Sequence, residues 1–365
     1  MTKTKGEKIE VQRIVSSPLW PGVPLALGSA ILFGITAPFS KLLLGGFDPQ
    51  LLAGVLYLGA GIGLTVVHAA RHACGVPAPE APLRRSDTPW LIAIVIFGGV
   101  LGPLLLMLGL DATSAANGSL LLNLEGLATM AIAWLVVREN VDAHLLVGAG
   151  AILLGAMVLS WQGRGFSLDP GALLILAACI AWGIDNNLTR KLSSADPVLI
   201  ALIKGLAAGL VNVALAVSRT GTYPDVIHLA SAALLGFLGV GISLVLFILS
   251  LRHLGTARTG AYFSLAPFIG ALAAITVLDE APTWQMFFAG LLMAVGLWLH
   301  LSERHHHEHE HATLEHEHRH NHDEHHQHEH DPDVVTPHSH GHLHESLAHA
   351  HAHYPDMHHR HPHPH

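Results

Sequence analysis

Ten stretches of about twenty predominantly apolar residues follow one another along the chain, separated by short polar breaks, and they restrict the fold more than any other feature. The hydrocarbon core of a bilayer leaves no water for unpaired backbone groups, so each stretch is expected to cross it as a helix. With 51% hydrophobic and 13% charged residues and a mean hydropathy of +0.44, the chain is too apolar for a soluble protein. The sequence therefore predicts an all-α integral membrane protein with ten transmembrane helices, at about 20–44, 50–70, 90–109, 112–137, 143–161, 170–191, 197–217, 228–250, 256–278 and 283–302.

Basic residues indicate the orientation, because short cytoplasmic loops carry an excess of Lys and Arg. The basic segment 1–17 lacks the apolar stretch and cleavage site of a signal peptide, and we interpret it as a cytoplasmic N-terminal segment. An even number of spans then returns the C-terminus to the cytoplasm. This topology leaves only three basic residues of the span region at outer ends: Lys41, Arg164 and Arg219. We expect a multi-pass protein of a bacterial inner membrane.

The two halves of the span region, 18–162 and 168–302, resemble each other. Gly34 and Asp48 in the first half correspond to Gly183 and Asp196 in the second, and Thr113 and Glu139 match Thr256 and Glu280 less tightly. Five spans per half is an odd number, so the halves must have opposite orientations in the membrane. Inverted repeats predict alternating access around a site near the membrane midplane.

Ten spans in two halves, opened by FGITAPFSK (33–41) and closed by LGTARTGAYFSLAPF (254–268) and LDE (278–280), resemble the drug/metabolite transporter superfamily of the EamA type. The resemblance covers about residues 20–302 and implies two five-helix EamA repeats that carry a solute. It does not specify the solute, since the superfamily carries amino acids, nucleotide sugars, drugs and other compounds. Pro267 matches the family pattern in the ninth span, whereas the fourth span has Asn123-Leu124-Glu125-Gly126 there, which removes a helix breaker and adds a charge.

Glu125 lies near the middle of the fourth span, where an acidic side chain costs about 2.5–3.5 kcal/mol on insertion scales. One interpretation is a proton acceptor or cation ligand that faces a central cavity. The alternative is a structural carboxylate, paired permanently with a basic residue such as Lys204. We expect Asn123, two residues before Glu125, to be an auxiliary oxygen ligand.

A second polar group closes the sixth span, in the sequence DNNLTRK (185–191). Asp185, Asn186 and Asn187 are consecutive, so they cannot all face lipid, and Asp185 shares a helix face with Thr189. They are predicted to line the transport path, Asp185 above all. The alternative is that they only cap the helix end. Lys204 in the seventh span either pairs with Asp185 or Glu125 or extends to the cytoplasmic surface.

Residues 303–365 form a tail with 25 of the 31 histidines, 12 acidic and 3 basic residues. Imidazole suits Ni, Co, Zn and Cu, so we predict weak, exchanging sites for divalent metal ions (Ni, Co or Zn) on a segment that is disordered without metal. The alternative is a low-complexity tail without consequence for transport. The predicted ligands are His305, His306, His307, His309, His311, His316, His318, His320, His322, His325, His326, His328 and His330.

LLLNLEG (120–126), DNNLTRK and a His-rich C-terminus are also similar to the CnrT-like nickel-efflux permeases of bacterial metal resistance systems. This resemblance implies export of Ni²⁺ or Co²⁺ from the cytosol, and two carboxylates would suit exchange against protons. The rivals are an exporter of amino acids or related metabolites with a regulatory tail, and a membrane-anchored metal store or sensor without transport. Nothing in the sequence points to an enzyme, a required cofactor or a nucleic-acid partner. It leaves the oligomeric state open, a homodimer included.

Overall fold

A computed structural model describes residues 21–75, 83–137, 143–161, 169–192, 195–219, 224–301, 305–310, 314–320, 338–344 and 348–353. Between residues 21 and 301 the described chain is helical apart from short turns and caps. Seven helices are long and apolar enough to cross a membrane, and three shorter apolar helices accompany them. The all-α membrane architecture predicted from hydropathy is therefore confirmed.

We number the spans 1 to 10 along the chain. Several contain more than one helical segment, because breaks and π-helical turns interrupt them. Span 1 is Gly22–Leu44, and span 2 is Pro49–Ala73. Span 3 follows a 3₁₀ turn at Arg85–Asp87 and consists of Thr88–Ile94, the π-helical Val95–Leu101 and Gly102–Ala112. Span 4 consists of Ala115–Leu121, Leu124–Ile132 and the π-helical Ala133–Val137, and span 5 is Ala143–Ser160. Span 6 is Pro170–Thr189 with a 3₁₀ turn at Arg190–Leu192, and span 7 is Pro197–Val217. Span 8 begins with Val226–Gly236 and the π-helical Phe237–Ile242, and the helix continues into Ser243–Phe263. Span 9 ends with Ala266–Val277, and span 10 is Trp284–Leu301.

The predicted boundary between spans 8 and 9 is wrong. A gap was expected between residues 250 and 256, but the helix that contains Ser243–Phe263 runs through it. The interruption lies instead at Ser264–Leu265, directly before the helix that has Pro267 in its first turn. Proline supplies no backbone N–H and is tolerated in a first turn, which explains why the new helix begins there.

Span 4 is also interrupted, although it has no proline. The break falls at Leu122–Asn123, where the amide nitrogen of Asn123 donates to the carbonyl of Leu120 at 2.9 Å. A side chain that bonds a nearby carbonyl competes with the helical ladder. Contrary to the expectation that this helix lacks a breaker, the chain turns at Asn123, two residues before Glu125, as it turns in the second half at Leu265, two residues before Pro267. Glu125 consequently lies in the first turn of the helix Leu124–Ile132.

The packing of the spans follows the internal repeat. Span 2 packs against span 7 and span 5 against span 10, while span 1 packs against spans 8 and 9, and span 6 against spans 3 and 4. Exchanging the two halves leaves this pattern unchanged, as expected for inverted EamA repeats. Glycines permit close crossings at matching places in the two halves: a Cβ on Gly34 would lie 2.5 Å from the carbonyl of Ala266, and one on Gly183 would lie 2.9 Å from the backbone of Ala128.

The repeat also has the same local structure where spans 2 and 7 begin. Asp48 accepts hydrogen bonds from the backbone of Gln50 and Leu51, and Asp196 accepts one from the backbone of Val198. In both spans the aspartate is the N-cap and proline is the first helical residue. An Asp-Pro pair is a strong start signal, since the carboxylate satisfies free N–H groups and proline needs none.

The tail contains four described strands, β1 His305–Glu310, β2 Leu314–His320, β3 His338–His344 and β4 Ala348–His353. β1 pairs with β4 and β2 with β3, both antiparallel and in one common register. In these ranges the structure has strands, within a tail that the sequence predicts to be disordered without metal. Histidine alternates with other residues at a period of two over much of them, which is the period of a strand, although isolated two-stranded ladders are only marginally stable in water.

Candidate functional site

The break in span 4 positions Glu125. The helix that begins after Asn123 presents this half-buried carboxylate in its first turn, where the helix dipole favours negative charge. The backbone N–H of Glu125 bonds the carbonyl of Leu122 at 3.0 Å, so the turn itself is closed. An acidic side chain inside the membrane thus has a local structural reason for its place.

Asn186 of span 6 reaches Glu125 across the helix interface. Its amide nitrogen donates to a carboxylate oxygen of Glu125 at 3.0 Å and to the hydroxyl of Thr129 at 3.2 Å. Thr129 also donates to the carbonyl of Glu125 at 2.9 Å. These contacts connect spans 4 and 6 through oxygen and amide groups.

Asp185 and Lys204 form a buried ion pair between spans 6 and 7, with side chains 6% and 12% exposed. The hydroxyl of Thr189, one turn along, lies 3.4 Å from the other carboxylate oxygen of Asp185. Of the alternatives left open for Lys204, the structure selects pairing with Asp185. Lys204 is therefore not the permanent partner of Glu125.

The backbone carbonyl of Gly98 in span 3 completes the polar cluster. Span 3 is π-helical over Val95–Leu101, a pattern that is frequent at functional sites. The residue five positions after Gly98 is Pro103, which has no N–H to donate. The carbonyl of Gly98 instead accepts from the hydroxyl of Tyr57 at 2.8 Å and from the indole N–H of Trp182 at 3.1 Å.

Gly98 also provides the space for Asp185. A Cβ at Gly98 would lie 2.1 Å from the Asp185 carboxyl group, closer than any side chain allows. Sequence reasoning did not identify Tyr57, Gly98 or Trp182 as site residues. The only signal was their small or aromatic character beside polar residues, which is typical of most membrane helices.

Two asparagines connect the cluster to the surrounding helices. Asn187 donates to the carbonyls of Thr129 and Gly183 at 3.0 and 2.8 Å, so it anchors span 6 to span 4. Asn212, fully buried in span 7, donates to the carbonyls of Gly99 and Val100 in span 3, both at 3.4 Å. Asn212 therefore links span 7 to span 3.

Asn123 lies apart from this cluster. Its described contacts are with the carbonyl of Leu120 and, at 3.8 Å, with the sulfur of Met293 in span 10. The expectation that Asn123 is an auxiliary oxygen ligand beside Glu125 stays a prediction, since its described contacts are made by the amide nitrogen, at the helix break. The side chain is taken up locally because the turn brings the Leu120 carbonyl within reach.

The charges of the cluster do not cancel. Asp185 and Lys204 neutralise each other, and no described residue forms an ion pair with Glu125. The site therefore holds one carboxylate in excess, stabilised by an amide and a helix N-terminus. Such a carboxylate can exchange a proton for another cation.

The predicted tail ligands are only partly described. His305, His306, His307 and His309 lie on β1, and His316, His318 and His320 lie on β2. The remaining predicted ligands, His311, His322, His325, His326, His328 and His330, lie outside the described residues. Among the described residues, no three His, Cys, Asp or Glu side chains are grouped to hold a metal ion.

The pattern of two repeats has a counterpart among known families. Residues 20–161 and 169–302 both match the EamA-like transporter family. The chain belongs to this family. An EamA-like carrier is a multi-pass membrane protein that moves small solutes through a bilayer, and the expected drug/metabolite transporter fold is thereby confirmed.

Relatives of this EamA-like carrier are transporters by name. An uncharacterized transporter of Methanothermobacter thermautotrophicus is 27% identical, over 77% of this chain and 86% of its own. A probable amino-acid metabolite efflux pump of Salmonella typhimurium is 26% identical, over 51% of this chain and 67% of its own. One solved structure matches with a TM-score of 0.57 at 19% identity, covering 76% of this chain and 95% of that one, which shows the fold.

Proposed function

We propose that this EamA-like carrier exports divalent transition metal, Ni²⁺ or Co²⁺, from the cytosol across a bacterial inner membrane in exchange for protons. The observation that carries the proposal is the excess carboxylate of Glu125 between spans 4 and 6. A half-buried acid on an apolar helix has a high insertion cost. Acids that proteins keep in such places usually take part in cation or proton transfer.

Energetics require such coupling. Moving one charge against 100 mV costs about 2.3 kcal/mol, so a divalent ion expelled from a negative cytosol costs about twice that before any concentration gradient. Exchange against two protons would cancel the electrical cost. Glu125 supplies one acceptor directly, and Asp185 supplies the second when Lys204 releases it.

The roles of the other residues follow from their contacts. Asn186 holds the Glu125 carboxylate and adds an amide oxygen, while Asn187 fixes the helix that carries Asp185 and Asn186. These oxygen donors give a site without strong preference among divalent ions. Preference for Ni, Co or Zn then comes from the histidine tail, since imidazole suits these metals. In the predicted topology the tail collects metal on the cytosolic side.

A second candidate is export of amino acids or related metabolites. Asp185 and Lys204 place opposite charges side by side, which complements a zwitterion once they separate. The relative named a probable amino-acid metabolite efflux pump favours the same class. In this case the tail has a regulatory role.

Flux measurements separate the candidates. Inside-out proteoliposomes with an imposed pH gradient are offered radioactive nickel or labelled amino acids. Metal export predicts gradient-driven nickel uptake that excess unlabelled amino acids do not reduce. Amino-acid uptake without nickel uptake would overturn the metal proposal. Stoichiometric nickel binding without flux of either would indicate a store or sensor.

A further inference from the structure

Glu280, in the connection between spans 9 and 10, bonds the beginning of span 4. Its two carboxylate oxygens accept hydrogen bonds from the backbone N–H groups of Ala115 and Ala116, at 2.7 and 2.8 Å. These residues are more than 160 positions apart in the chain. The contact therefore connects the second half of the protein to the first at the end of the bundle where spans 3 and 4 meet.

A sharp turn directs Glu280 towards span 4. Asp279 has φ 51°, in the left-handed region, which a non-glycine residue adopts only at some energetic cost. The backbone N–H of Glu280 bonds back to the carbonyl of Ala274 at 3.5 Å, at the end of span 9. The turn thus holds the carboxylate against the first free N–H groups of span 4.

The part of span 4 that Glu280 holds is a short segment between two interruptions. Ala115–Leu121 follows the turn at Thr113–Ser114 and precedes the break at Leu122–Asn123, beyond which lies Glu125. A cavity of about 320 Å³ adjoins the contact, lined among others by Asn117, Glu280 and Met286. The segment thus has a break at each end and open space beside Asn117, while its other six residues are buried.

We propose that Glu280 is a positioning residue that latches this end of the carrier closed. Release of the Ala115 and Ala116 N–H groups lets the segment Ala115–Leu121 swing away and opens a path to Glu125. In the predicted topology this is the periplasmic end. The inference rests on the proposed transport role of Glu125 but not on the identity of the cargo.

The internal repeat supports a latch. Alternating access requires a closure at each end of the carrier, and inverted repeats provide the same element twice. The sequence repeat pairs Glu280 with Glu139, which lies outside the described residues.

Cys179 is a native reporter of this movement. It is fully buried in span 6, with its sulfur 3.8 Å from the carbonyl of Leu121, the last residue of the latched segment. The other cysteine, Cys74, is exposed and is replaced by serine in the test. A charged, membrane-impermeant thiol reagent is applied to the full-length protein in right-side-out and inside-out vesicles.

The proposal predicts that Glu280→Gln raises the rate of Cys179 labelling about tenfold, the factor expected for losing one charge-assisted hydrogen bond, and that Glu280→Ala, which loses both bonds, raises it further. The increase occurs from one side of the membrane only. Asp111→Asn is the matched control, because Asp111 is an exposed acid at the same end of the bundle. Its labelling rate is expected to equal that of the parent protein.

A second variant guards against misfolding. Ala115→Pro removes one of the two N–H donors, and proline is well tolerated at the first helical position. It is expected to raise the labelling rate from the same side as Glu280→Ala. Labelling rates that match the control in all variants, or that rise equally from both sides, would overturn the latch. Because labelling needs no cargo, an unchanged labelling rate would overturn the latch but not the proposed metal export. Likewise, absence of nickel flux would overturn metal export but not the latch.

Discussion

The side-chain amide of Asn186 in span 6 donates a 3.0 Å hydrogen bond to the carboxylate of Glu125 in span 4. This bond joins the two helices that carry the polar cluster, and it supports the cluster carboxylate that has no ion-pair partner among the described residues. In the proposed mechanism it holds Glu125 in place whether the carboxylate has released a cation or awaits one.

Removing this bond tests the pairing. Asn186→Ala is expected to lower the transport rate about tenfold, because a hydrogen bond to a charged group contributes about 1.5–3 kcal/mol. Asn187→Ala serves as the comparison, since Asn187 bonds only backbone carbonyls in the described contacts. Asn187→Ala is expected to lower Tm while leaving the transport rate close to that of the parent protein. Initial flux and Tm of the purified variants would show the difference, and equal rate losses would contradict it.

The ion pair of Asp185 and Lys204 predicts a non-additive response to mutation. Lys204→Met leaves the buried Asp185 carboxylate unpaired and is expected to cost about 3 kcal/mol in folding stability. The double variant Asp185→Asn with Lys204→Met removes both charges and is expected to recover most of the loss. Unfolding in detergent measures both. Additive losses would show that the pair is not coupled in solution.

Space at Gly98 is a further requirement. Gly98→Ala forces a methyl group against the Asp185 carboxyl group and is expected to reduce transport to near background. Gly126→Ala is the matched control, because a Cβ at Gly126 meets no atom within 4 Å although it neighbours Glu125. Flux of the two variants at equal expression is the measurement. An active Gly98→Ala carrier would show that Asp185 need not keep this place.

Hydropathy made most of the fold predictable. Each span is long and apolar, and lipid leaves the helix as the only local structure that satisfies its backbone. The Asp-Pro pairs at Asp48 and Asp196 also specify helix starts locally. Glu125, Asp185 and Lys204 were identifiable because an ionisable group inside a span is rare and expensive.

The rest depends on tertiary contacts that no local pattern encodes. In the sequence, Tyr57 and Trp182 are indistinguishable from other aromatic residues of membrane helices. Only the structure shows that both donate to the Gly98 carbonyl in the π-helical part of span 3. Asn123 neighbours Glu125 in sequence, and only the structure shows that the break it accompanies brings its amide nitrogen to Met293 of span 10. Spans 8 and 9 were separated wrongly, because polar residues between 252 and 259 are compatible with a continuous helix.

The tail predicts a change in metal sensitivity. Truncation after Ser302 removes 25 histidines and is expected to raise the cytosolic nickel concentration needed for half-maximal export without changing the maximal rate. Protonated imidazole cannot bind metal, so the advantage of the full-length chain should fade as pH falls through about 6.5. Export rates at several nickel concentrations and pH values check this. An unchanged threshold would assign the tail no role in collecting metal.

Nickel-dependent proton movement in inside-out vesicles tests the central claim most directly. With a pH-sensitive dye, added nickel should release protons from vesicles that hold the intact carrier, and Glu125→Gln should abolish this release while Asp111→Asn preserves it. Proton release from the Glu125→Gln carrier at the unmodified rate would contradict the account.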